Sequence, residues 1–193
     1  MKKTLLALIL SVSLSLGTTV AFNGIEVTLN SNGLKVGDYA PEFIATTVEL
    51  EDAMVGGKKD KIQILVFLPS LDTETCRLAT IAFNKKVANM TNVELITISK
   101  DLPFAQKNFC SNNDVSSVKT VSDYKNANNA KRYGTTISAP AFLEGLFGRV
   151  VYVVDTKGKI AYVQVVKEIS DEPNYDAVIT AIGKIDRNVK ASK

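Results

Sequence analysis

Two thiols, Cys76 and Cys110, carry the reactive potential of this 193-residue chain, and they stand 34 positions apart. The chain has no histidine, which excludes a Ser-His-Asp triad, a Cys-His dyad and an HExxH zinc site. Two cysteines cannot by themselves make a four-cysteine zinc site or hold an iron–sulfur cluster. Their separation also excludes a CxxC redox pair. Two alternatives stay equally open from spacing: one structural disulfide in an exported protein, or a reactive thiol at 76 with a resolving thiol at 110.

The elements around Cys76 favour reactivity. Ile62 to Leu68 is an almost continuous apolar run between lysines and Pro69, the pattern of a strand buried on both faces. A short loop, Pro69 to Thr75, follows it. Cys76 to Met90 has no Gly or Pro and repeats apolar residues at helical spacing, so Cys76 is expected to begin a helix. Free N–H groups and the helix dipole favour negative charge there, and such sites suit thiolates. Thr73 lies three residues before the sulfur, close enough to donate to it or to a bound oxygen. A Thr before a helix is also an ordinary cap. A site after a strand lies at the carboxyl edge of the sheet, where α/β folds host ligands.

The rest of the chain reads as one α/β domain. Residues 24–30 and 34–36 are expected to be strands, with Ser31-Asn-Gly33 as the hairpin turn between them. Residues 49–61 read as a loop or an edge hairpin. Further strands are predicted at 93–99 and 118–121, with a helix from Pro103 towards Cys110 and a short helix over 126–133 ended by Gly134. Residues 149–155 and 160–166 read as a hairpin, and 174–185 as a closing helix. This order implies parallel βαβ units with an antiparallel hairpin at the end.

Residues 1–21 are expected to be a secretory signal peptide. Lys2 and Lys3 precede a short apolar run from Leu5 to Leu16, and small residues follow around Ala21. The run is short for a membrane span. Its removal would leave residues 22–193 with 21 basic and 20 acidic residues. That balance makes no case for nucleic acid, and no other stretch approaches a membrane span. A soluble periplasmic protein is the expectation.

Pro69-Ser-Leu-Asp-Thr73-Glu-Thr-Cys76 fits the PxxxTxxC signature of peroxiredoxins. Together with Phe83-Asn84 and Asp101-Leu-Pro-Phe-Ala-Gln-Lys-x-Phe-Cys110, it resembles one branch, the bacterial thiol peroxidases. Leu34-Lys-Val-Gly-Asp-x-Ala-Pro41, Arg149-x-Val-x-Val-Val-Asp155 and Glu168-Ile-x-x-Glu-Pro-x-Tyr175 extend the resemblance over about residues 24–185. It implies a thioredoxin-like fold, a central mixed sheet flanked by helices, with an N-terminal β-hairpin. It implies Cys76 as the peroxidatic nucleophile, Thr73 bonded to the sulfur and the peroxide, and Arg149 as the stabilising cation. Pro69 would shield the site. Cys110 would resolve the sulfenic acid as an intramolecular disulfide. An antioxidant homodimer acting on hydrogen peroxide and alkyl hydroperoxides is implied, reduced by thioredoxin or a periplasmic dithiol, without metal or organic cofactor. The competing functions are thiol–disulfide exchange and a binding protein with a structural disulfide.

The chain departs from its relatives twice. Thr80-Ile81-Ala82 stands where they carry basic residues, and residues 137–145 differ from their usual pattern. Phe142, Leu143 and Phe147 are expected to make the approach to the site more apolar.

Overall fold

The computed structural model describes residues 17–113, 115–125 and 130–191, with side chains described as far as residue 185. Most of the expected leader, residues 1–16, lies outside the described residues, as do residues 126–129 of the expected short helix.

A seven-stranded mixed sheet forms the centre, in the order β10-β9-β5-β6-β7-β3-β4. Strand β5 (Ile62–Phe67) pairs in parallel with β6 (Val93–Ser99), and β6 with β7 (Val118–Ser122). Helix α1 (Glu74–Val87) links β5 to β6, and α2 (Pro103–Asn113) links β6 to β7. Antiparallel strands complete both flanks. The β9 (Val150–Val154) and β10 (Ile160–Val165) hairpin joins β5, and the β3 (Phe43–Thr47) and β4 (Asp52–Val55) hairpin joins β7.

Every residue of β5 is buried, and alternation divides its side chains between two cores. Ile62, Ile64 and Val66 pack with Phe83 and Val87 of α1, Phe109 of α2, and Val178 and Ile182 of α3 (Tyr175–Ala191). Leu65 and Phe67 face a second core with Phe43, Tyr133, Phe147 and Tyr152. Phe67 makes edge-on ring contacts with Phe147 and Tyr152 at 5.4 and 6.1 Å, a geometry aromatic quadrupoles favour. Gln63, buried in the same strand, is satisfied by the backbone of Gly56 and Gly57.

The second core is roofed by a small sheet in which β2 (Ile25–Leu29) lies between β1 (Thr19–Phe22) and β8 (Ile137–Ala139). The N-terminal hairpin therefore turns at Asn23-Gly24, not at Ser31-Asn-Gly33. Asn23 and Gly24 both have positive φ, 50° and 77°, as a two-residue turn between right-twisted strands requires. Leu34–Val36 is not a strand. Gly33 instead allows close packing, because a Cβ there would lie 2.8 Å from the Tyr152 hydroxyl.

Residues 19–21, expected to end the leader, are thus strand residues. Val20 is buried, and Ala21 exchanges backbone hydrogen bonds with Lys167 and Ile169. Other boundaries moved slightly. Helix α1 starts at Glu74, and the short helix before Gly134 is a 3-10 turn, Ala130–Tyr133. The polar segment 49–61 contributes β4 to an edge hairpin that turns at Leu50.

Candidate active site

Cys76 lies in the first turn of α1, fully buried. Thr73 occupies the N-cap position with extended backbone (ψ 142°), so the amides of residues 74–76 have no preceding helical carbonyl to bond. The helix N-terminus and its partial positive charge therefore converge on the sulfur.

Arg149 comes immediately before β9, the strand that pairs with β5. Its Nη2 donates to Cys76 Sγ at 3.3 Å, and its Nε donates to the Ile169 carbonyl at 2.9 Å. The guanidinium is 2% exposed and makes no ion pair with a carboxylate among the described residues. A buried cation is costly unless paired, and Cys76 Sγ is the side-chain acceptor that Arg149 reaches among the described residues. Nη1 has no partner among the described residues. It is a spare donor on a side chain that lines the adjoining cleft.

That cleft encloses about 200 Å³. Pro69 and Thr73 form one wall, and Phe22, Ile137, Leu143, Leu146 and Ile169 supply its apolar surface. Leu143 and Leu146 are presented by a compact loop closed by Gly145 N–H to Ile137 O and Ile137 N–H to Leu146 O. The expectation for residues 137–147 is corrected in detail. Leu143 faces the cleft, whereas Phe147 is a core residue and Phe142 is 65% exposed.

Thr73 is placed beside the site, but its hydroxyl donates to the Ser70 carbonyl at 3.1 Å. It makes no hydrogen bond to the sulfur in this state. Nor does it cap α1 through its side chain. Donation to a peroxide oxygen requires the hydroxyl to turn away from Ser70.

Cys110 and Cys76 are both free thiols. They share the helix-side core, but Cys110 opens on a different recess, with Ser111, Val115 and Ser116. Burial pushes the Cys110 thiol above its ordinary pKa; a hydrogen bond from Thr120 opposes this, and the charge of Glu49 adds to it. The Sγ to Thr120 Oγ1 distance is 3.4 Å.

Several contributors escape sequence reading. Thr120 is one. Thr80 donates to the Cys76 carbonyl at 2.8 Å and is buried. The segment 168–170 is a brace. Ile169 O holds Arg149, Ser170 O accepts from Thr75 Oγ1 at 3.0 Å, and Glu168 accepts from the amides of Asn23 and Gly24. The Glu168-Ile-x-x-Glu-Pro motif was the available signal, but it names no partner. No cluster of acidic or thiol ligands suited to a metal occurs among the described residues.

A redoxin family pattern matches residues 35–179. The chain belongs to the redoxin family, among its thiol peroxidases. It is 42% identical to a thiol peroxidase of Aquifex aeolicus over 167 residues, which cover 86% of this chain and 98% of that one. A Bacillus subtilis thiol peroxidase is 37% identical over 162 residues, 84% and 95% of the two chains. Among solved structures, a peroxiredoxin-like protein from Aquifex aeolicus superposes with a TM-score of 0.84 at 42% identity, covering 88% of this chain and 98% of that one. A Chromobacterium violaceum thiol peroxidase gives 0.78 at 18% identity, with the same coverage, and speaks to the fold alone. The sheet with its flanking helices is accordingly the thioredoxin-like arrangement of this family.

Proposed function

We propose that this thiol peroxidase reduces organic hydroperoxides in preference to hydrogen peroxide, using Cys76 as nucleophile and Cys110 as resolving thiol. The observation that carries the reading is the apolar cleft beside the Cys76–Arg149 pair. Alkyl surface buried there gains about 25 cal/mol per Å², a gain that hydrogen peroxide cannot collect. The Cys76 thiolate attacks the distal peroxide oxygen and the O–O bond breaks. The alcohol leaves with the hydroperoxide proton, and the sulfenate that remains is protonated by solvent. Arg149 stabilises the charge that moves from sulfur to oxygen. Cys110 then displaces water from the sulfenic acid, forming a disulfide that an external dithiol of the thioredoxin type reduces. Because Cys76 is fully buried while Cys110 opens on a recess of its own, the first turn of α1 and the end of α2 must loosen for this step.

The test is turnover of reduced wild type, Cys76→Ser and Cys110→Ser with cumene hydroperoxide and with hydrogen peroxide, with mass spectrometry of the products. Turnover lost in Cys76→Ser and a sulfenic acid trapped in Cys110→Ser are expected. Equal kcat/KM for the two peroxides would reject the substrate preference.

The protein is proposed to be exported to the periplasm, where its reductant is an envelope dithiol, and to act as a homodimer. The pairing of β1 supports a leader boundary upstream of residue 19. Ser15-Leu-Gly17 offers small residues at the required spacing, so the mature chain would start at Thr18. N-terminal sequencing of the exported protein tests the cut, and light scattering tests the dimer.

A further inference from the structure

Asp101 connects the segments that carry the two thiols. It lies between β6 and α2, where its carboxylate accepts three hydrogen bonds. Ser70 Oγ donates to Oδ1 at 2.7 Å, Leu71 N–H to Oδ2 at 2.8 Å, and Ser99 Oγ to Oδ2 at 2.8 Å. Ser70 and Leu71 belong to the loop that delivers Thr73 and Cys76. Ser70 also accepts, at its carbonyl, the amide and the hydroxyl of Thr73. On the other side, Ser99 Oγ accepts from Gln106 Nε2 at 3.0 Å. Gln106 is buried in α2, and its amide also reaches the Val121 carbonyl. Cys110 lies one helical turn further along the same face. The Asp101 carbonyl is itself held by Ser122 Oγ.

We propose that Asp101 is a positioning residue that clasps the peroxidatic loop shut and thereby sets the balance between peroxide reduction and disulfide formation. The inference rests on the two-cysteine reading above. Peroxide attack needs the closed loop, with Thr73 and the α1 N-terminus in place. Disulfide formation needs the same loop open. The carboxylate favours the first state, because charge-assisted hydrogen bonds are about twice as strong as neutral ones. A closed loop also exposes the sulfenate to a second peroxide. In that step the sulfur takes the distal oxygen, the O–O bond breaks, and one alcohol and a sulfinate result. Asp101 therefore trades faster reduction against overoxidation.

The experiment follows full-length wild type, Asp101→Ala, Asp101→Asn and Ser70→Ala by quenched-flow alkylation and mass spectrometry, with cumene hydroperoxide as the probe. Asp101→Ala is expected to slow peroxide attack about tenfold while speeding disulfide formation severalfold and lowering the sulfinate fraction per turnover. Asp101→Asn, which keeps one acceptor oxygen, should fall between it and wild type. Ser70→Ala removes one clasp and leaves the Leu71 and Ser99 bonds, so it should shift both rates the same way by less. It decides the matter if Asp101→Ala does not fold. Rates that are unchanged, or that fall together, would overturn the clasp. Wild type that makes no Cys76–Cys110 disulfide would overturn the two-cysteine reading and the clasp with it. A wild-type disulfide with no split of rates in the variants rejects the clasp alone.

Discussion

Arg149 Nη2 stands 3.3 Å from Cys76 Sγ, while Nε of the same guanidinium is anchored 2.9 Å from Ile169 O. One side chain therefore fixes the sulfur relative to the segment that follows β10. Lysine supplies the charge but not the fork that makes both bonds. Arg149→Lys is expected to lower kcat/KM for peroxide by about 10²-fold, in line with the loss of one preorganised charge-stabilising donor. Steady-state assays with saturating reductant would show it, and activity within twofold of wild type would remove Arg149 from the reaction.

Thr73 offers a cleaner separation of chemistry from folding. Because its side chain makes no cap bond, Thr73→Val is expected to cost less than about 1 kcal/mol of stability, the loss being the bond to Ser70 O. Peroxide attack should nevertheless fall at least tenfold, because valine cannot donate to the incoming oxygen, whereas Thr73→Ser keeps most of the rate. Urea unfolding measured alongside single-turnover kinetics distinguishes this from a capping role, for which the two losses would run in parallel.

The environment of Cys110 has a defined pH signature. Burial raises its pKa, and the Thr120 hydroxyl opposes that by bonding the thiolate. Removing the hydroxyl raises the pKa further, so Thr120→Val should slow disulfide formation at neutral pH and move its pH profile to the alkaline side. Rates from pH 6 to 10, read by mass spectrometry after acid quench, check the direction. A profile that moves towards acid contradicts the assignment.

Glu168 binds β1 to the brace under Arg149. The hydrogen bond from Ser170 contributes most to holding its carboxyl at about 2, with the amides of Ser170, Gly24 and Asn23 adding to it. A carboxyl depressed in the folded state stabilises it fully above the ordinary glutamate value of 4.5, and loses that contribution as pH falls towards 2. The group is partly exposed, so Glu168→Gln should cost no more than about 1 kcal/mol near neutrality. Its deficit relative to wild type should vanish in strong acid. Thermal melts of both proteins between pH 2 and 7 would reveal a constant gap if the carboxylate had no such role.

Local patterns revealed those parts of the fold whose causes are local. The apolar run at 62–68 is legible because β5 is covered on both faces, and α1 is legible from its spacing. The hairpin was displaced because Asn23-Gly24 lies at the edge of a segment that reads as a leader, while Ser31-Asn-Gly33 looks like a turn and serves packing instead. At the site, Cys76, Pro69 and Arg149 were legible through their motifs. The partners that set them were not. Glu168 meets Asn23 across 145 residues and Asp101 meets Ser70 across 31, and nothing in hydrophobic periodicity encodes which polar groups meet.

Strand β1 gives the first residues of the fold an unusual double use. Phe22 lines the cleft, one position beyond Ala21. A protease cutting after Ala21 would remove most of β1 and leave Phe22 carrying a free ammonium beside an apolar chamber, and burying such a charge is expensive. The cut proposed above, after Gly17, instead leaves Thr19–Phe22 whole, so the strand that lines the chamber would survive maturation.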